Sequence, residues 1–145
     1  MIMALSSRQA LSSDSDLLGL LNHQLIEDEG HRNPMTVPEL QDRMRGWLAK
    51  EYTAVLFENE KEVVAYALFR DEPDQIYLRQ FYVRRDQRQK GYGSEAMEIL
   101  KKKIWPETKR LVVEVLTGNQ AGISFWKAVG FQEYCLTLEM RPANT

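Results

Sequence analysis

The sequence has 145 residues, of which 43% are hydrophobic and 28% charged, with 19 basic and 21 acidic side chains. This composition is typical of a globular domain and excludes an intrinsically disordered chain. The formal net charge of −2 also argues against a general nucleic-acid binder, which usually carries net positive charge.

Two further features concern the cellular compartment. No apolar run reaches the roughly 20 residues of a membrane span, and residues 1–10 lack the apolar centre of a signal peptide. We therefore expect a cytoplasmic protein with no membrane partner. Cys135 is the one cysteine, so no internal disulfide can form, and its strand-like surroundings predict a buried, inert thiol.

Hydrophobic periodicity and capping residues predict the elements in chain order. A first strand is expected near Met1–Leu5, and a leucine stripe then marks a helix that stops at Gly30. Thr36 and Glu39 form a capping box for a second helix. The predicted helices span residues 15–29, 36–50, 93–104 and 119–129, and the further strands span 53–57, 63–69, 76–83, 111–116 and 131–140.

This order of elements predicts an α/β domain. Hairpin strands come first and strand–helix–strand units follow, which favours a mixed, mainly antiparallel sheet. We expect a single domain over residues 1–145, with about six to seven strands flanked by about four helices. The continuous apolar run at 111–116 predicts a central strand.

The loop between the strand at 76–83 and the third helix carries the main functional signal. Gly91 and Gly93 bracket one residue, and four basic residues lie within positions 84–90. Glycine lets the backbone approach a ligand closely, and the unpaired amides of a first helical turn attract anions. The pattern therefore predicts an anion cradle, most naturally for phosphate.

A dinucleotide fingerprint is the competing interpretation of the same glycines. Gly91-Tyr-Gly-Ser-Glu-Ala96 fits GxGxxA, but that motif needs its first glycine directly after the strand and an acidic residue about 20 positions later at a strand end. Seven residues separate Val83 from Gly91, and Glu114 lies inside its predicted strand. The spacing disfavours this interpretation.

The motifs resemble those of the GNAT superfamily of acyl-CoA N-acyltransferases. The family's acyl-CoA signature, Gln/Arg-x-x-Gly-x-Gly/Ala, matches Arg88-Gln-Lys-Gly91-Tyr-Gly93. Its second signature matches Asn119, the pair Phe125-Trp126, and Gly130-Phe131. The similarity covers nearly the whole chain and is strongest from about Thr53 to Met140.

The resemblance implies a bulged strand at 76–83 that splays away from the strand at 111–116. It implies acetyl-CoA or coenzyme A as cosubstrate and no metal, with the acyl group in the gap and a free amide near Val83 polarising its carbonyl. Asn119 would contact the pantetheine arm, and Phe125 would either lie near the thiol or pack in the core. The implied coenzyme-binding residues are Phe81, Tyr82, Val83, Arg88, Gln89, Lys90, Gly91, Tyr92, Gly93, Ser94, Asn119 and Phe125.

The catalytic positions depart from the family pattern. Trp126 stands where many members carry a tyrosine that protonates the leaving thiolate, and an indole N–H supplies no useful proton. Members with a glutamate base often place it where this chain has Arg79 and Gln80. Glu114, unless it is paired structurally, and His31 remain as candidates for the base that takes the proton of an amine.

An acidic stretch after the first helix is the expected acceptor site. Glu27, Asp28 and Glu29 precede His31, and three acids at a helix C-terminus oppose its dipole. In the family this region borders the acceptor, so these four residues would bind a cationic amine. The alternative is a solvated acidic turn.

Together these features predict an N-acetyltransferase whose acceptor, a small-molecule or peptide primary amine, attacks directly in a ternary complex. Trp126, Arg79 and Gln80 favour an alternative, a regulatory module that binds coenzyme A or acyl-CoA without turnover. A third interpretation, a basic loop that binds RNA or another nucleotide, is disfavoured by the net charge. Exposed strand edges would allow a homodimer.

Overall fold

The computed structural model describes residues 4–143 and contains one mixed sheet of five strands. The strands are β1 (Ser6–Gln9), β2 (Tyr52–Asn59), β3 (Glu62–Asp71), β4 (Gln75–Val83) and β5 (Arg110–Val113). The helices are α1 (Ser15–Glu29), α2 (Val37–Leu48), α3 (Tyr92–Ile99) and α4 (Gln120–Ala128). α3 continues into a π-helical turn at Leu100–Ile104, and short 3₁₀ turns occur at Ser12–Asp14 and Arg85–Gln87.

The sheet follows the order β1-β2-β3-β4-β5. The first four strands pair antiparallel, and β5 pairs parallel to β4 through the crossover formed by α3. The mixed α/β architecture predicted from the sequence is therefore confirmed, with five strands in the described chain rather than six or seven.

Alternating side chains of the central strands build two cores. Val55, Phe57 and Ala67 belong to the core that α3 covers. Leu56 and Leu68 belong to the core on the opposite face, which α1 and α2 cover. This alternation follows from the two-residue period of a strand, and it places α3 and the α1–α2 pair on opposite faces of the sheet.

The contact between α1 and α2 depends on a glycine. A Cβ on Gly19 would lie 2.6 Å from the Cα of Gln41, so any larger residue would force the helices apart. α1 ends at Gly30 in the left-handed conformation (φ 73°), and the Thr36–Glu39 capping box starts α2. Both helix boundaries are as the sequence predicted.

Two predictions about the strands were wrong. A third, the predicted strand Met1–Leu5, lies mostly outside the described residues, and the first described strand spans Ser6–Gln9. β5 covers 110–113, where its ladder with β4 ends at Leu78 opposite Val113. It is an edge strand and not a central one, because no strand of the described residues pairs with its other side.

The strand predicted at 131–140 is the second wrong prediction. This segment belongs to no strand of the described sheet, and Tyr134 and Leu138 are 86% and 83% exposed. Alternation gives such a segment a local preference for extended structure, but a strand also needs a neighbour to pair with. Cys135 lies in this segment and is therefore exposed rather than buried.

The four helices pack as parts of this domain. Across residues 4–143, none of them combines the length and apolar character that crossing a bilayer requires.

Candidate active site

A gap opens between β4 and β5 at the point where their pairing ends. The last paired residues are Leu78 and Val113, yet β4 continues to Val83. The chain after Val113 leaves the sheet and reaches α4 through Asn119. The sheet thus splays where the sequence resemblance implied, and β4 presents one unpaired edge to this gap.

A bulge in β4 accompanies the gap. Leu68 of β3 lies opposite Gln80, and the next residue, Phe69, lies opposite Leu78, so Arg79 has no partner on β3. A bulge increases the local twist of its strand, which helps β4 turn away from β5. Bulging of this strand was also implied by the resemblance.

The glycine loop takes the shape that an anion cradle requires. Gln89 and Gly91 have positive φ values of 64° and 78°, which turn the chain sharply into α3. The first helical bond within α3 runs from the Glu95 amide to the Gly91 carbonyl (3.1 Å). The amides of residues 92–94 therefore precede the helical ladder and, with the helix dipole, favour an anion at this end.

Gly93 brings this helix end against α4. A Cβ on Gly93 would lie 3.0 Å from Cε1 of Phe125 and 3.7 Å from Cγ2 of Val83. Glycine leaves room for the Phe125 ring beside the first turn of α3, and a larger residue would require the ring to shift. The same ring stacks on Phe81 of β4 at a centroid distance of 5.9 Å.

Asp28 at the end of α1 holds the basic loop in place. Its carboxylate accepts hydrogen bonds from Tyr82 Oη (2.8 Å), Arg85 Nε (2.6 Å) and Arg88 Nη2 (2.7 Å). Burial raises the pKa of Asp28, but these three bonds outweigh it and hold the pKa below its usual value. Arg88 Nε also donates to the Val83 carbonyl (3.0 Å), which fixes the guanidinium at the mouth of the loop.

The loop borders a cavity of about 420 Å³, which we call the loop cavity. Every coenzyme-binding residue implied by the resemblance lines this cavity, except Lys90. The Lys90 ammonium instead donates a hydrogen bond to Gln87 Oε1 (3.2 Å). The residues concerned are Phe81, Tyr82, Val83, Arg88, Gln89, Gly91, Tyr92, Gly93, Ser94, Asn119 and Phe125.

A second cavity of about 230 Å³ lies beside the first, against α1 and α2, and we call it the helix cavity. Its walls include the acidic and basic residues Glu29, His31, Arg43, Arg79 and Glu114. The two predicted bases, His31 and Glu114, are thus brought to one cavity.

The two cavities share Glu29, Phe81, Asn119 and Trp126. Asn119 is held there by capping α4, since its Oδ1 accepts from the Gly122 amide (3.0 Å). Trp126 is held by aromatic contacts with Phe81 (5.6 Å) and Phe131 (5.3 Å). A group at this junction is within reach of ligands in both cavities.

Each predicted base has one hydrogen-bond partner. Glu29 Oε1 lies 3.0 Å from His31 Nε2, so the two side chains form a pair at the edge of the helix cavity. Glu114 Oε1 accepts a 2.5 Å hydrogen bond from Tyr77 Oη. Burial, with this bond to Glu114, raises the pKa of Tyr77 to about 12.

The predicted acidic acceptor site is divided by the structure. Glu29 and His31 line the helix cavity, but Asp28 lines the loop cavity. Glu27 pairs with Arg85 Nη2 (3.1 Å) and lines neither cavity. Ion pairs with Arg85 and Arg88 of the basic loop hold Glu27 and Asp28 outside the helix cavity. The sequence pattern does not reveal these tertiary contacts.

The sequence interpretation missed two polar residues of the helix cavity, Asn22 and Arg43. Asn22 is 1% exposed on the buried face of α1, and its Oδ1 accepts from Arg43 Nη2 (3.1 Å). The signal was present, because Asn22 lies four residues after Leu18 on the leucine stripe. A polar residue on an apolar stripe is often functional.

No cluster of three or more His, Cys, Asp or Glu side chains in residues 4–143 is arranged to hold a metal ion.

Comparison with known proteins agrees with this geometry. Residues 20–131 match the family model described as the acetyltransferase (GNAT) family. A possible acetyltransferase from Clostridium difficile 630 has a TM-score of 0.78 at 15% identity, covering 97% of this chain and 99% of that one. No curated protein matches the sequence.

Two further solved structures share the fold. A predicted acetyltransferase from Clostridium acetobutylicum, determined with acetyl-CoA, has a TM-score of 0.73 at 19% identity and covers 94% of this chain and 96% of its own. The ribosomal-protein-alanine N-acetyltransferase of Brucella melitensis biovar Abortus 2308 has a TM-score of 0.74 at 16% identity, covering 96% and 99%.

Proposed function

The chain belongs to the GNAT acetyltransferase family, and from this premise we propose that it transfers an acetyl group from acetyl-CoA to a primary amine by direct attack in a ternary complex. The observation that carries the proposal is the pair of cavities that meet at Glu29, Phe81, Asn119 and Trp126. Two adjoining cavities suit two substrates that must be bound at once.

The loop cavity fits the coenzyme end of acetyl-CoA. The amides of Tyr92, Gly93 and Ser94 and the guanidinium of Arg88 offer donors to a diphosphate. The Cβ that Gly93 lacks would press against Phe125 at 3.0 Å, so a larger residue there would have to displace the ring that borders the cradle. Bound in this way, acetyl-CoA would supply the acyl group as a thioester.

The unpaired edge of β4 beyond Leu78 supports the same assignment. An extended arm that lies along this edge can exchange main-chain hydrogen bonds with the strand, as an added β-strand does. Asn119, whose Oδ1 is occupied by the cap of α4, keeps its Nδ2 group as a donor toward either cavity.

The helix cavity fits the amine. An alkylamine has a pKa of about 10.4 and is mostly protonated near neutral pH, so it must lose a proton before it attacks. We assign this proton to Glu29 and its partner His31, because Glu29 is the carboxylate that lines both cavities. The amine nitrogen then attacks the thioester carbonyl, the N–C bond forms, and the C–S bond breaks with its electron pair left on sulfur. The nitrogen loses its second proton, which solvent passes to the thiolate, so the products are the amide and the free thiol of coenzyme A.

The sulfur needs little help to leave. A thiol of this kind has a pKa near that of cysteine, about 8.5, so its thiolate is a good leaving group without a tyrosine at the position of Trp126. Tyr77 keeps its proton over a wide pH range, because its pKa is raised to about 12. Its hydroxyl donates a 2.5 Å hydrogen bond to Glu114 and so orients that carboxylate in the helix cavity.

Titration calorimetry with acetyl-CoA, followed by thiol release over a panel of primary amines, tests the proposal. We expect binding at micromolar concentration and amine-dependent thiol release. Absence of binding at millimolar acetyl-CoA would contradict the assignment of the loop cavity.

Trp126 favours one alternative, a module that binds coenzyme A or acyl-CoA without turnover. Its indole occupies the junction of the cavities and donates no useful proton. Tight acetyl-CoA binding with no thiol release from any amine would favour this module, whereas release that depends on Glu29 would exclude it.

A further inference from the structure

Two residues that line the helix cavity carry buried hydrogen-bond donors with no acceptor. Asn22 Nδ2 and Arg43 Nε are both inaccessible to solvent and unpartnered. Five such atoms occur in the described part of the chain, and these two are the ones whose residues line the cavity. Leaving a buried donor unpaired is destabilising, so a ligand that accepts hydrogen bonds at this wall would stabilise the arrangement.

A second observation concerns charge. Arg43 and Arg79 both line this cavity, and their guanidinium carbons lie 4.2 Å and 4.6 Å from the centre of the Trp47 ring. Most other arginines of the chain form ion pairs, but these two meet no carboxylate within residues 4–143.

The two arginines also affect each other. Burial, and after it the charge of Arg79, lowers the pKa of Arg43. Two neighbouring cations without a counter-ion repel each other, and an anion bound between them removes this repulsion. Arg79 reaches this position because of the bulge in β4, which leaves it without a partner on β3.

The opposite charge lies on other walls of the same cavity. Glu29 and Glu114 present carboxylates there, and Glu29 also reaches the junction with the loop cavity. The cavity volume is about 230 Å³. Such a space suits a small metabolite with both charges better than a buried length of peptide.

We propose that the acceptor is a small zwitterion, an amine that also carries a carboxylate. The carboxylate lies on the donors of Arg43, Asn22 and Arg79, and the amine points to Glu29 and Glu114 at the junction. The planar guanidinium of Arg43 suits a carboxylate, whose two oxygens it can bind together. This inference rests on the proposed transferase function and narrows its acceptor class.

Matched pairs of amines test the proposal. Amino acids, including straight-chain ω-amino acids, are each assayed beside the amine that lacks the carboxylate, with thiol release from acetyl-CoA as the measurement. We expect at least one amino acid to exceed its partner amine in kcat/KM by about 10–100-fold, the effect of one or two charge-assisted bonds. Aminoalkylphosphonates test whether a phosphonate replaces the carboxylate, and a preference for them over the carboxylates would overturn the proposal.

Arg43→Met should remove this preference mainly by raising KM for the amino acid, with little change for the carboxylate-free amine. Arg43→Lys should restore part of it. Arg45→Met is the matched control, because Arg45 lies on the same helix, pairs with Asp16 (3.4 Å) and lines neither cavity. Unchanged preference in Arg43→Met would refute the subsite.

Asn22→Asp decides the question if Arg43→Met does not fold. It preserves the side-chain volume and the bond to Arg43, yet replaces a donor by a negative charge, so carboxylate-bearing amines should lose at least tenfold in kcat/KM. An unchanged value would overturn the proposal.

Direct binding separates this inference from the proposed function. Titration of the preferred amino acid into the protein without acetyl-CoA should show binding that Arg43→Met abolishes, even if no transfer occurs. Transfer to amines regardless of their carboxylate would instead uphold the transferase and refute the zwitterion.

Discussion

Glu29→Gln tests the proton-transfer step directly. The substitution keeps the size and hydrogen-bonding capacity of the side chain but removes the carboxylate that we propose as the proton acceptor. We expect kcat to fall by about 10²–10⁴-fold, while the Kd for acetyl-CoA stays within about threefold.

The structural cost of this change is small by comparison. Glu29 and His31 are about one-third exposed (31% and 37%), so the loss of their mutual hydrogen bond costs at most about 1 kcal/mol. The expected rate loss corresponds to about 2.7–5.4 kcal/mol at 1.36 kcal/mol per tenfold. A merely structural role for Glu29 therefore does not explain a loss of this size.

The assay is the pH dependence of kcat for wild type and Glu29→Gln. The deficit should shrink as the pH approaches 10, because an amine with a pKa of about 10.4 then loses its proton to solvent. Glu27→Gln is the control, since Glu27 lies two residues away and lines neither cavity. A deficit below tenfold, or one that persists unchanged at high pH, would refute the assignment of Glu29.

Three further predictions concern other parts of the molecule. Gly93→Val should weaken acetyl-CoA binding more than tenfold and lower the free energy of unfolding by about 1–3 kcal/mol, because the new side chain meets Phe125 at 3.0 Å; unchanged calorimetric affinity would contradict the cradle. Burial, with bonds to carboxylates, raises the pKa of Tyr77 and Tyr82 to about 12, so the stability they contribute is intact below about pH 10 and is lost as the pH rises toward 12. Phenolate absorbance should show both titrating late, and ionisation near pH 10 would contradict their hydrogen bonds. Leu138→Ser should change the free energy of unfolding by less than about 0.5 kcal/mol in denaturant titrations, since Leu138 is 83% exposed; a concentration-dependent loss above 1 kcal/mol would instead show that copies of the chain bury this segment.

The parts of the fold that follow local rules could be predicted from the sequence. The Thr36–Glu39 capping box, the Gly30 stop and the loop glycines each specify a backbone conformation through neighbouring residues alone. The state of the segment at 131–140 could not be predicted in the same way, because an extended segment becomes a strand only where another strand lies beside it.

The site shows the same division. The loop residues are contiguous in sequence, so one motif located nearly all of them. Asn22, Arg43 and Arg79 come from three separate elements, and only the close approach of α1 to α2 at Gly19 and the bulge in β4 bring them together. The diversion of Asp28 to the basic loop likewise depends on a contact between residues about sixty positions apart.

The wall common to the two cavities has an evolutionary consequence. If both substrates contact Phe81 and Trp126, a substitution that admits a bulkier acyl donor also changes the shape of the amine-binding site. Selection for a new acyl donor therefore alters the choice of amine as well. Residues that border a single cavity, such as Arg43 and Arg88, are free of this constraint. Diversification of donor and acceptor choice should therefore begin at those outlying positions, with the common wall changing last.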